Sequence, residues 1–143
     1  MKFLFALSAL LAAALLLTAA GSGVTYVDHD KVAAALAKGG ALASGQDLLV
    51  SASHREKAGQ VEVHDKETDV IYMVDGEATF VTGGTMIGGK ATKPGQSLGT
   101  DISGGDTHHL TKGDVIVVPA GVPHWFKEVP HSVSYYVVKV LKP

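Results

Sequence analysis

The chain is 143 residues long, has no cysteine and carries a formal net charge of −2. That length holds one domain, and an apolar share of 46% is enough for a real core. The absence of cysteine excludes a disulfide framework, and a near-neutral charge without a basic stripe argues against nucleic acid as a partner.

Residues 1–20 read as a signal peptide. Lys2 is a short positive start, Phe3 to Leu17 an apolar run, and Thr18-Ala19-Ala20 a small-residue end suited to signal peptidase. An uncleaved anchor is the alternative, since Phe3 to Ala20 just reaches the ~18 apolar residues that a spanning helix needs. The small residues at the end, and the lack of a basic cluster after it, favour cleavage. The expectation is an exported protein, periplasmic or extracellular, with no stable membrane insertion after leader cleavage. Residues 21–46 then form a lead-in with one helix, and residues 47–143 the β-domain.

Asp28 to Lys38 reads as that helix: Asp28 or Asp30 caps it, the alanines propagate it, and Gly39-Gly40 stop it. Val32, Leu36 and Ala33 are its side toward the sheet. From Asp47 onward short strands alternate with turns. Asp47–Arg55, Gln60–His64, Val70–Val74, Ala78–Thr82, Asp114–Val118 and Val133–Leu141 are the strand candidates. Asp75-Gly76 and Gly83-Gly84 read as hairpin or bend chemistry. Such spacing points to a sandwich or barrel. Between Thr82 and Thr111 lies a Gly-, Ser- and Thr-rich stretch, expected to hold a hairpin around Pro94-Gly95 with the remainder lining the barrel mouth.

Two stretches carry the chemistry. In the first, Glu62 and His64 share one face of a strand, because residues two apart point the same way. If that strand pairs with the next through a hairpin at Asp65 to Thr68, Asp69 comes near His64. In the second, the β-branched run Val115 to Val118 lies between Gly113-Asp114 and a Pro119-Ala-Gly-Val-Pro123 corner, and reads as a strand buried on both faces. Pro119 closes it, Gly121 permits the turn, and the chain then presents His124, Trp125 and Phe126.

Together the stretches resemble the paired motifs of the cupin superfamily. Gly113, Pro119, Gly121 and His124 match the second motif position by position, with Glu128 where Asn often stands. In the first, His64 and Gly76 match, Glu62 stands in place of a His, and Asp69 in place of a Glu. The resemblance implies an all-β double-stranded β-helix, or jelly-roll barrel, with the short helix at its N-terminal side. It also implies a homodimer, for which the two-sided apolar strand around Tyr135 to Val138 is suited.

The resemblance further implies that His124 converges on the first motif. Glu62, His64, Asp69 and His124 then form a four-ligand set for a divalent transition metal. Its oxygen ligands favour Mn or Fe, with Zn allowed. Glu67 is the alternative to Asp69; in the competing reading Glu62 is a solvent-facing strand residue and Asp69 a turn residue. His54 and Arg55 end an earlier strand and can reach the same pocket, where the planar fork of Arg55 suits a carboxylate. Tyr72 and Trp125 are aromatic candidates for the substrate side, with a core or interface role as the cheaper explanation. Of His108 and His109, adjacent in a strand, at most one can face the pocket.

Two functions compete. One is a metal-dependent oxidation, isomerisation or lyase reaction on a small oxygen-bearing substrate, with His54 or Glu67 as proton-transfer group. The other is a non-catalytic cupin that binds a small molecule or metal. No nucleophilic triad, P-loop or dinucleotide fingerprint is present in the sequence.

Overall fold

The computed structural model describes residues 23–142. The signal-peptide reading of residues 1–20 lies outside the described residues. Among those described, no helix is long and apolar enough to cross a membrane.

Helix α1 (His29–Lys38) begins where the Asp28 carboxylate accepts a hydrogen bond from the Lys31 N–H at 3.1 Å, and stops at Gly39. It packs on the sheet through half-buried Val32, Ala35 and Leu36, while Ala33 faces solvent. The strands that follow are β1 (Gly40–Ser44), β2 (Leu48–Arg55), β3 (Val61–His64), β4 (Glu67–Thr82), β5 (Thr85–Ile87) and β6 (Lys90–Lys93). The chain continues with β7 (Gln96–Gly99), β8 (Asp101–Ser103), β9 (Asp106–Thr111), β10 (Val115–Val118), β11 (His124–Glu128) and β12 (Val133–Leu141). β1, in the stretch read as lead-in, is an edge strand paired with β2.

All pairings are antiparallel, and β4 belongs to two layers. Its first half lies between β12 and β10, and β12 leads on to β2 and β1. Its second half lies between β11 and β9, and β11 leads on to β3, β7 and β6. The two layers face each other around a core of Ile71, Met73, Ala78, Phe80, Leu110, Val118, Phe126, Val133, Tyr135 and Val137. Phe126 joins the layers, stacking on Tyr135 and meeting Phe80 edge-on, both at 4.7 Å between centroids.

Four expectations are corrected or narrowed. Asp75-Gly76, read as hairpin or bend, is the bend: β4 continues through it and turns there from one layer to the other. Gly76 has φ +80°, and a Cβ on it would run into the Ser132 carbonyl, so both the dihedral and the close approach require glycine. Second, β3 and β4 do not pair through Asp65 to Thr68. β3 lies in the far layer beside β11 and β7, so Asp69 reaches His64 across the barrel interior. Third, β10 is buried on one face only. Val118 is in the core, but Val115 and Val117 are 59% and 55% exposed on the outer face. Pro94-Gly95 does turn the β6–β7 hairpin, yet no residue of 83–111 lines the internal cavity.

Candidate metal centre

The corner Pro119–Val122 sets the site. Val122 N–H returns to the Pro119 carbonyl, and Gly121, at φ +82°, donates its N–H to the His64 carbonyl at 2.8 Å. The end of β3 and the start of β11 are thereby clamped together, with Glu62 and His124 opposed in register. β4 delivers Asp69 from the other layer. His64, Asp69 and His124 are the buried polar side chains of the described residues, at 4%, 4% and 6% exposure.

The spacings are those of ligands around one centre. His64 Nε2 lies 3.3 Å from Glu62 Oε2 and 3.6 Å from Asp69 Oδ2, and His124 Nε2 lies 3.5 Å from the same Asp69 oxygen. Atoms bound at about 2.1 Å around a tetrahedral ion stand at comparable separations. His124 Nδ1 lies 3.1 Å from the Val122 carbonyl, so this nitrogen donates and Nε2 keeps its lone pair toward the centre. Neither nitrogen of His64 has a hydrogen-bond partner, although both are buried. A buried imidazole left in that state costs free energy unless something else binds it. The donor set therefore fits a divalent cation.

The charges agree. Burial first, opposed by the Val122 carbonyl and the nearby carboxylates, holds the His124 pKa below its ordinary value, which keeps the ring neutral. Burial works against the Glu62 carboxylate, but the His64 ring, His124 and Arg55 outweigh it and hold its pKa low. Neutral imidazole and ionised carboxylate are the forms that bind metal.

The matching family model is that of the cupins, over residues 20–143. The chain belongs to the cupin family. Similar solved structures agree on the fold. One is protein BH2720 from Bacillus halodurans, at 12% identity over 86% of each chain with a TM-score of 0.60. A conserved protein of unknown function from Streptococcus pyogenes shares 20% identity over 74% of each chain, TM-score 0.51. The DMSP lyase DddQ from Ruegeria pomeroyi shares 14% identity over 72% of this chain and 46% of its own, TM-score 0.52. No curated protein matches the sequence.

In this cupin a cavity of about 140 Å³ adjoins the centre, lined by Glu62, Asp69 and His124 and by Arg55, Trp125 and Tyr135 among others. Arg55 lies over the Phe126 ring at 5.1 Å, donates from Nε to the Tyr135 hydroxyl at 2.7 Å, and stands 3.6 Å from Glu62. Trp125 is fixed by its indole N–H on the Gly59 carbonyl at 2.8 Å. Tyr72 and His54 are not cavity residues. Tyr72 is 44% exposed on the outer face of β4, because strand alternation turns it away from Ile71 and Met73. His54 points away from Arg55 for the same reason and bonds the Ser134 hydroxyl at 2.9 Å. His108 and His109 contact Thr82 and Glu77 and are not cavity-lining residues.

The sequence reading missed Lys139. Its ammonium lies 2.9 and 3.1 Å from the two Asp69 oxygens and 2.8 Å from Glu67 Oε2. A lone lysine on the same face of β12 as Tyr135 and Val137 was the available signal.

Proposed function

We propose that this cupin binds one divalent transition ion (Mn, Fe or Zn) through Glu62, His64 and His124, with Asp69 at the fourth side. We further propose that it acts on a small oxygen-bearing molecule held in the adjoining cavity, by oxidation, isomerisation or lyase-type cleavage. The observation that carries the reading is His64, a buried imidazole with two unpartnered nitrogens facing carboxylates. When bound, such an ion polarises a ligated oxygen or lowers the pKa of a ligated water.

The chain's own groups supply the remainder. Arg55 and the Tyr135 hydroxyl present donors to a carboxylate or other oxygen group, with Phe126 holding the guanidinium plane. Trp125 forms a fixed wall of the cavity. Glu67, 3.5 Å from His64 Nδ1, is placed to orient that ring. Elemental analysis of protein purified without chelator tests the proposal. Bound metal that disappears in His64→Ala and His124→Ala supports it; an unchanged content in both variants rejects it.

The same reading extends to assembly and location. The outer face of the first layer carries Tyr72, Val115, Val117 and Val140, all exposed, along neighbouring strands. A second copy laid on this face would cover them, which supports a homodimer. The leader-like residues 1–20 support work outside the cytoplasm.

A further inference from the structure

Three carboxylates, Glu62, Glu67 and Asp69, surround His64, and together with it they offer two overlapping sets of donors. One is Glu62, His64 and His124; the other is His64, Glu67 and Asp69. Neither nitrogen of His64 is hydrogen-bonded; Nε2 faces a carboxylate of each set, Glu62 and Asp69, and Nδ1 faces Glu67. The first set has no cation of its own beyond the flank of Arg55, which stays 3.6 Å from Glu62. The second set already has one. The Lys139 ammonium, 19% exposed, reaches both Asp69 oxygens and Glu67 within hydrogen-bond distance. Its placement is fixed by the backbone, since Lys139 and Asp69 are direct cross-strand partners on the inner faces of β12 and β4.

We infer that Lys139 is a built-in cation that occupies the Glu67–Asp69 side of the site, confines a divalent ion to the Glu62–His64–His124 side, and weakens its binding by competing for Asp69. This rests on the metal reading above and deepens it. The physical ground is direct. A carboxylate that already accepts charge-assisted hydrogen bonds from an ammonium gives a second cation less, and two cations sharing one carboxylate repel. The same ammonium offsets carboxylates that would otherwise repel one another inside the barrel. The fold consequently does not depend on the ion, unlike small domains whose folding free energy is metal binding.

The test is a chelator-competition titration of Zn(II) and Mn(II) on the wild type, Lys139→Met, Lys139→Gln and Lys139→Arg, with thermal unfolding in EDTA alongside. Lys139→Met removes the charge and keeps the stem; Lys139→Gln keeps donors for the carboxylates and covers the case in which the methionine variant fails to fold. The inference expects both neutral variants to bind the ion about tenfold or more tightly, the scale on which groups behind a metal ligand act. It expects Lys139→Arg to bind like the wild type. It also expects the neutral variants to melt earlier in EDTA and to recover with the ion, while the wild type changes less. If the wild type binds the ion and the folded neutral variants bind it equally or more weakly, this inference is overturned and the metal reading stands. If no variant and no wild type binds either ion, both fall together.

Discussion

The Gly121 N–H donates to the His64 carbonyl at 2.8 Å. One hydrogen bond thus ties the corner that delivers His124 to the strand end that carries His64. The two imidazoles, 5.3 Å apart between ring centroids, project from backbone that this bond holds together. Gly121 has φ +82° and open space around its absent Cβ. Gly121→Ala should therefore cost about 1–2 kcal/mol, the left-handed penalty alone, with Gly121→Asn milder. Urea unfolding measures this, and an alanine variant as stable as the wild type would contradict the clamp.

Gly76 should behave differently. It combines φ +80° with a Ser132 carbonyl where a Cβ would lie, and no flexible side chain is there to move. Gly76→Ala should cost more than about 4 kcal/mol, in the exceptional class of single substitutions. Soluble yield and far-UV circular dichroism report it. A well-folded variant with an unshifted urea midpoint would mean that the bend in β4 is not what joins the layers.

Acid should destabilise the metal-free protein in stages. The folded His124 pKa lies below 6.5, chiefly through burial, so on acidification the unfolded chain takes up the proton first. Stability is fully present above 6.5 and is lost as pH falls through the folded value. Glu62 and Glu67, held below 4.5 despite burial, act likewise at lower pH. Lys139 has the opposite sign. Burial opposes its charge, but Glu67 and Asp69 outweigh it, so its contribution is present below 10.5 and lost as pH rises through the folded value. Urea midpoints measured in EDTA should plateau between these limits. A midpoint unchanged from pH 8 to pH 4 would be incompatible with this picture.

Ligand placement separates the inward and outward candidates. A small hydroxy acid or dicarboxylate that raises the melting temperature of the metal-loaded wild type should lose that effect in Arg55→Met. It should keep the effect in Tyr72→Ala and His54→Ala, whose side chains leave the cavity wall untouched. At a hundredfold excess over Kd the wild-type stabilisation should be about 2.7 kcal/mol. Stabilisation lost in Tyr72→Ala and retained in Arg55→Met would place the ligand elsewhere.

Association can be tested on the outer face. Light scattering at micromolar concentration should give twice the monomer mass for the wild type and the monomer mass for Val117→Lys, which puts a charge among Tyr72, Val115 and Val117. A monomeric wild type rejects the homodimer.

The barrel and its corner were legible because breakers announce them. Pro119, Gly121 and Pro123 force a turn wherever they stand, so His124 could be placed before any contact was known. β11 was not legible as a strand, since the corner hides where extended backbone resumes, and Gly40 to Ser44 is too poor in β-branched residues to signal β1. Asp75-Gly76 stayed open between hairpin and bend for a physical reason: a glycine at positive φ serves both equally well. Two-residue alternation already turned Tyr72 away from Met73, a signal that the aromatic side chain obscured. Lys139 was harder still, because its partner Asp69 is 70 residues away and only the β12–β4 register brings them together.

That register also bears on how the chain comes to be folded. β12 is the last of the described strands in chain order, yet it sits between β2 and β4 instead of at an edge. During synthesis both neighbours must wait with unpaired inner edges until residues 133–141 have emerged. Closure then joins strands far apart in sequence, a slow, late step set by topology more than by local propensity. The barrel stays open until β12 docks, and Lys139 reaches Asp69 in the same event that shuts it.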